Sequence, residues 1–253
     1  MILSLKALLF DVDGTLADTE DGHRVAFNQA FQDFDFDWIW EPALYGDLLA
    51  VTGGRARIRR FVETAHPHML DRNDLDDLIV KLHERKTEHY VAALNSGGIP
   101  LRPGVKRLIL EAREQGLVLA IATTTTPVNV QALIENTLGS AALDWFDAIG
   151  AGDCVDHLKP APDVYLWVLD KLGLPAASCL ALEDSYNGLQ AALAAGVGTV
   201  VTYCPYTRDH DFKGAVAVAD CLGEADIPAR IDAGIPVGKT VIDVDVLRRW
   251  HAG

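Results

Sequence analysis

Two places in the chain carry closely spaced carboxylates directly behind an apolar run. Asp11-Val12-Asp13-Gly14-Thr15 follows Ala7–Phe10, and Glu183-Asp184 follows Cys179–Leu182. Neighbouring acids repel, and a hard divalent cation such as Mg²⁺, which takes an octahedral shell of oxygens, relieves the conflict. A metal-bound aspartate can also attack phosphorus and form an aspartyl-phosphate. Each pair has a plainer account as well. Asp and Gly are common in solvated turns, which would explain Asp11–Gly14. Helix capping by Asp184 or Ser185 would explain the second pair.

Two further segments offer groups that suit a phosphate. Thr123-Thr124-Thr125-Thr126-Pro127 follows the apolar Leu117–Ala122. Hydroxyls and backbone N–H groups at a helix start make a phosphate cradle, although Thr126 before Pro127 is equally suited to capping the helix. Lys159 stands in Lys159-Pro160-Ala161-Pro162-Asp163, just ahead of a helical pattern. A lysine there is ordinarily solvated, but an ammonium near Asp11 would neutralise both a nucleophile and a transferring phosphoryl group. Each signal is modest alone. Four strand or helix ends that all offer a phosphate or Mg²⁺ group are hard to assign to chance.

The elements that would position these residues alternate. Apolar runs at Ala7–Phe10, Leu117–Ala122, Asp147–Ala151, Cys179–Leu182 and Thr199–Thr202 suit parallel strands buried on both faces. Amphipathic helices are expected between them: from Pro103 to Gly116, from Asp163 to Gly173, and from about Ser185 to Gly196. This alternation predicts an α/β fold, a doubly wound parallel sheet, in which ligands bind beyond the carboxyl ends of the strands. One connection breaks the rhythm. Between Asp18 and about Gly98 no strand is legible, and helices are expected at His23–Phe34, Pro42–Leu49, Arg55–Ala65 and Leu75–Leu94. An excursion of that length is a unit of its own rather than a loop. The expected division is a core of residues 1–18 and 97–253 with an inserted helical cap over 19–96. Past Tyr203 only a strand near Val216–Ala219 is legible.

The bulk numbers narrow the chemistry. The chain has 253 residues, 49% of them hydrophobic and 23% charged, enough for one large domain or a core with a smaller partner. A net charge of −14 argues against nucleic acid, which is bound through Lys and Arg clusters. Lys6 interrupts the first apolar run, and no stretch reaches the length of a membrane span. A cytoplasmic protein that needs no membrane is expected, with monomer as the default state. Cys154, Cys179, Cys204 and Cys221 have no metal-ligand spacing and are expected as free thiols.

Together these residues resemble the haloacid dehalogenase superfamily over essentially the whole chain. Its four motifs appear in order as Asp11-Val12-Asp13-Gly14-Thr15, Thr123, Lys159 and Glu183-Asp184. Within it the chain is similar to the helical-cap branch of β-phosphoglucomutase-like enzymes, and there to the CbbY-type xylulose-1,5-bisphosphate phosphatases. Asp11–Glu20, Thr52-Gly53-Gly54-Arg55, Ala122–Thr125 and Leu182–Gly188 carry that likeness. The corresponding cap loop of that type has lysine where this chain has Arg55, a change that keeps the charge. Dehalogenases of this fold lack the second aspartate of the first motif, and Asp13 is present here.

The resemblance implies a Mg²⁺-dependent phosphatase of a small phosphorylated sugar, a sugar bisphosphate such as xylulose 1,5-bisphosphate. It implies Asp11 as nucleophile, Asp13 as general acid and base, and Thr123, Thr124 and Lys159 as holders of the phosphoryl group. Asp11, the carbonyl of Asp13, Glu183 and Asp184 would serve the metal. Glu20, His23, Lys86 and Asn187 would meet the substrate, with Thr52, Gly53, Gly54 and Arg55 suited to a second phosphate. From the sequence alone His23 reads equally well as an exposed helix residue, and Lys86 as one more charge on the face Lys81–Glu88. Arg57, Arg59 and Arg60 read as solvated surface. Two other functions use the same residues: a sugar phosphomutase, and a non-enzymatic sugar-phosphate sensor, which the intact acids disfavour.

Overall fold

Apolar runs with no polar face become strands only where both faces are covered, and the sheet here is built that way. The computed structural model describes residues 4–253. Its strands are β1 (Ala7–Phe10), β2 (Val118–Ala122), β3 (Ala148–Gly150), β4 (Cys179–Glu183), β5 (Gly198–Thr202), β6 (Ala217–Ala219) and β7 (Ile231–Ala233). They form one sheet in the order β3-β2-β1-β4-β5-β6-β7. All neighbours are parallel except β6 and β7, which are antiparallel. Every residue of β1 and β4 is buried. β1 is central, with Phe10 in register with Ile121 on one side and Leu182 on the other. The residue after β1 therefore emerges between the ends of β2 and β4.

The helices in chain order are α1 (Glu20–Asp33), α2 (Pro42–Leu48), α3 (Gly54–Ala65), α4 (Leu75–Asn95), α5 (Val105–Glu114), α6 (Pro127–Leu138), α7 (Asp163–Leu172), α8 (Tyr186–Ala194) and α9 (Val244–His251). The five expected sheet runs appear with end shifts of a residue or so, as does the strand expected near Val216. α5 begins at Val105, behind Gly104, rather than at Pro103. Two elements were not anticipated. β7 is half-exposed or exposed throughout, so it carries no apolar run. α9 starts where the Asp243 side chain accepts from Val246 N at 2.8 Å, and it buries Val244, Val246, Leu247 and Trp250.

The chain divides into two compact units. One holds the residues up to Asp18 together with Pro100–Gly253; the other is Thr19–Ile99, which runs past the expected limit at 96. The first contains the sheet. The second is helical, with α1 packed along α4 and an aromatic centre built from Phe27, Phe31, Trp40 and Phe61. No helix among the described residues is long and apolar enough to cross a membrane.

Candidate active site

Asp11 directly follows β1 and is 6% exposed, which places a carboxylate inside the protein. Lys159, 5% exposed, reaches it from the loop before α7. Its Nζ donates to Asp11 Oδ1 at 2.7 Å, to Glu183 Oε1 at 2.6 Å and to the Ala122 carbonyl at 2.8 Å. Lys159 is thus no solvated surface charge. It ties the ends of β1, β2 and β4 together. Thr15 Oγ1 donates to the other Asp11 oxygen at 3.3 Å. Burial, joined by the charges of Glu183 and Asp13, pushes the Asp11 carboxyl up to about 7 against the pull of Lys159. Burial alone would lower the Lys159 ammonium, but Asp11 and Glu183 outweigh it and hold it above the usual lysine range.

Glu183 ends β4 and is fully buried. Its Oε1 also accepts from Tyr165 Oη at 2.5 Å, while its Oε2 is buried without a hydrogen-bond partner. Asp184 comes next. Capping of α8 falls to Ser185, whose hydroxyl accepts from Gly188 N at 3.2 Å, so Asp184 is released from that role. Its Oδ2 instead accepts from Thr207 Oγ1 at 3.2 Å and from Cys204 Sγ at 3.3 Å. Cys204 is therefore engaged with a site acid, and burial followed by the Asp184 charge drives its thiol far up. Asp184 is also crowded by Gly14, where φ is +79° and an added Cβ would lie 2.2 Å from Asp184 Oδ2.

Asp11, Glu183 and Asp184 each bring a carboxylate oxygen within 4.8 Å of the others, all three residues buried. Lys159 is the cation that pairs with two of them. Three buried hard oxygen donors, one with an unpartnered oxygen, are a donor set for Mg²⁺ or a similar hard ion. The residues fit the expected metal. Asp13 is half-buried on the same loop. Thr123, 1% exposed, accepts at Oγ1 from Thr125 N at 3.3 Å, and Thr124 is half-buried beside it. Thr126 precedes α6, but its hydroxyl makes no capping bond. Asn187 is half-buried in the first turn of α8.

The second unit holds its own group of charges. His23 and Lys86 are each 4% exposed, which overturns both surface readings. Lys86 Nζ lies 2.8 Å from His23 Nδ1 and within about 5 Å of the Phe27 and Tyr90 ring centres, an arrangement that stabilises a buried ammonium. Glu20 Oε2 accepts from Tyr45 Oη at 2.9 Å, and Arg57 Nη1 donates to the same hydroxyl at 3.0 Å. Arg57 is therefore half-buried rather than solvated. Thr52 and Gly53 are half-buried and Arg55 is exposed at the start of α3. Gly54 has a local reason to lack a side chain: a Cβ there would sit 2.5 Å from the His83 ring. Burial above all, then the charges of Lys86, Arg55, His23 and Arg57, lower His83 to about 3.

Sequence reasoning missed Tyr165, Thr207 and the part played by Cys204. Tyr165 lies on the apolar stripe of α7, and the other two fall in the segment past Tyr203 that shows no periodicity.

Comparison with known proteins matches residues 5–196 to the haloacid dehalogenase-like hydrolases. Protein CbbY of Cupriavidus necator (plasmid) is 46% identical over 253 residues, with 98% of each chain covered. Protein CbbY of Rhodobacter capsulatus is 50% identical over 213 residues, covering 84% of this chain and 92% of the relative. The crystal structure of an aspartate-to-asparagine variant of CbbY from Rhodobacter sphaeroides, in complex with xylulose-(1,5)-bisphosphate, superposes with a TM-score of 0.79. That protein is 42% identical over 88% of this chain and 98% of its own.

Proposed function

Because the chain belongs to the haloacid dehalogenase-like hydrolases and is a phosphatase of that family, we propose that it hydrolyses a phosphorylated sugar, a bisphosphate of the xylulose 1,5-bisphosphate kind, with Mg²⁺ as cofactor. The observation that carries this reading is the buried Asp11–Lys159–Glu183 group with Asp184 beside it, at adjacent ends of β1 and β4. The sugar bisphosphate bound by the Rhodobacter sphaeroides relative supports the substrate class.

Asp11 is the nucleophile. Lys159 and Thr15 fix its two oxygens, so little reorganisation is needed before in-line attack on phosphorus. As the bond from phosphorus to the sugar oxygen breaks, Asp13 gives that oxygen a proton. Asp13 then takes a proton from water, which attacks the aspartyl-phosphate, releases phosphate and restores Asp11. Thr123, the Thr124 N–H and Lys159 hold the phosphoryl oxygens. Asp11, Asp184, the Asp13 carbonyl and Glu183 would hold Mg²⁺, whose Lewis acidity offsets charge on the phosphoryl group. Asn187, Glu20, His23 and Lys86 are assigned to substrate binding. Thr52, Gly53, Gly54 and Arg55 are assigned to a second phosphate, since a protein of charge −14 needs a local cation for a second dianion.

Two substitutions test the reading. Asp13→Asn is expected to slow alkyl phosphates by at least about 10²-fold, the lower end of the range for general acid–base catalysis. Aryl phosphates, whose phenolate leaves without a proton, should lose much less. Equal losses on p-nitrophenyl phosphate and on a sugar phosphate would remove Asp13 from the acid role. Arg55→Ala is expected to raise KM for a sugar bisphosphate by the equivalent of about 1.5–3 kcal/mol, the value of a hydrogen bond to a charged group. p-Nitrophenyl phosphate, with no second phosphate, should be little affected. If kcat/KM falls alike for both substrates, Arg55 does not serve a distal phosphate.

A further inference from the structure

Arg102 is 7% exposed, a guanidinium held almost wholly inside the protein. Burying such a charge is costly unless every donor is used, and here each nitrogen finds a partner. Nε faces Asp18 Oδ1 at 3.0 Å. Nη1 donates to the carbonyls of Gly14 and Thr202, each at 2.6 Å. Nη2 donates to the carbonyls of Tyr203 at 2.6 Å and Asp220 at 2.7 Å. Its own backbone N–H donates to Leu16 O at 2.8 Å.

Those carbonyls are not scattered. Gly14 belongs to the loop that follows Asp11, and it lies so near the Asp184 carboxylate that there is no room for a Cβ between them. Thr202 and Tyr203 lead into the Cys204–Thr207 turn, closed by Thr207 N donating to Cys204 O at 3.1 Å, and this turn supplies two hydrogen bonds to Asp184 Oδ2. Asp184 therefore stands between two walls, and Arg102 bonds to both. A backbone carbonyl has no charge or side chain by which it could be placed more directly. A planar fork with five fixed donors can hold all of these acceptors at once, where a lysine ammonium has only three donors.

We propose that Arg102 is a positioning residue: with the Cys204–Thr207 turn, it forms a frame that sets the orientation of Asp184 and of the loop following Asp11, and so the affinity of the site for a divalent cation. The inference rests on the metal-dependent reading above and goes beyond it by assigning a residue that touches neither substrate nor metal.

The test uses the full chain. Arg102→Lys keeps the charge but can make at most three of the bonds, and Thr207→Val removes one hydroxyl at nearly constant shape. Binding of Mg²⁺ alone is measured by titration calorimetry, alongside thermal unfolding in EDTA and kcat and KM on p-nitrophenyl phosphate. Arg102→Lys is expected to weaken Mg²⁺ binding by roughly 10–100-fold, the usual cost of removing an outer partner of a metal ligand. kcat at fixed subsaturating Mg²⁺ should fall in parallel and recover as Mg²⁺ is raised, with KM little changed. Thr207→Val should move the Mg²⁺ affinity in the same direction. A lower unfolding temperature with unchanged Mg²⁺ affinity in Arg102→Lys would make the residue purely structural and overturn the proposal. If that variant does not fold, unchanged affinity in Thr207→Val overturns it. Absence of Mg²⁺ binding by the wild-type protein would sink the metal reading itself, a result distinct from normal wild-type binding that neither variant alters.

Discussion

Asp11→Asn is expected to lower turnover on the order of 10⁶-fold, the scale of losing a covalent nucleophile. The amide is nearly the same size as the carboxylate but has no anionic oxygen with which to attack phosphorus. The fold should survive. Asn can still accept one bond from Lys159, which keeps its ion pair with Glu183 at 2.6 Å. The substitution also removes one of the three closely placed carboxylates of the site, a relief in the absence of metal. Turnover with a sugar bisphosphate and with p-nitrophenyl phosphate should disappear together, since both pass through the same phosphorus chemistry. Acid quench of the wild-type protein with labelled substrate should trap phosphate on the chain, and the variant should trap none. Activity within a factor of ten of wild type would end the covalent mechanism.

Lys159→Met should act on stability and rate at once. It leaves Asp11 and Glu183 buried without their shared cation, and breaking a buried ionic group in this way costs about 3–5 kcal/mol. The loss should be read by denaturant unfolding in EDTA. It should shrink when Mg²⁺ is added, because a divalent ion takes over part of the neutralisation. Metal affinity should therefore hold steady or rise while kcat falls about 10²–10³-fold, the cost of removing a donor aimed at developing charge. Movement of stability and rate in opposite directions from metal affinity separates Lys159 from an ordinary packing residue. Wild-type stability of the variant in EDTA would contradict the pairing geometry.

What the sequence revealed follows from which contacts are local. β1, β2, β4 and β5 are almost wholly buried and mostly apolar, so their runs are visible without any knowledge of neighbours. Asp11, Thr123, Glu183 and Asp184 were visible because each stands at or just past the end of such a run. Lys159 was visible as a position, but its burial depends on residues from three separate strand ends. His23 and Lys86 show the same limit more clearly. Each is a polar residue on a helix, and only their meeting across α1 and α4, with Phe27 and Tyr90 beside them, makes burial tolerable. β7 hides for the opposite reason. At the open edge of the sheet it needs no apolar face, so nothing in its composition announces a strand. Arg102 left no signal, since apart from Asp18 its main partners are backbone carbonyls, whose placement no residue type encodes.

The bridge between Ala17 and Leu101 has a consequence for how such a chain can change. The polypeptide leaves the sheet-bearing unit and returns to it at paired positions, beside the Arg102 N–H bond to Leu16. The insertion Thr19–Ile99 is thus a loop whose two ends are already stitched together by the part that does the chemistry. Closing a longer or shorter loop across a fixed gap changes the entropy slowly, by about 0.6 kcal/mol for each doubling of length. Whole insertions can therefore be exchanged, lengthened or rebuilt with little penalty to the sheet and its acids. The substrate-binding residues proposed for the insertion and the acids at the strand ends can then be inherited separately, with the boundary between them drawn at the Ala17–Leu101 bridge and the Arg102–Leu16 hydrogen bond beside it.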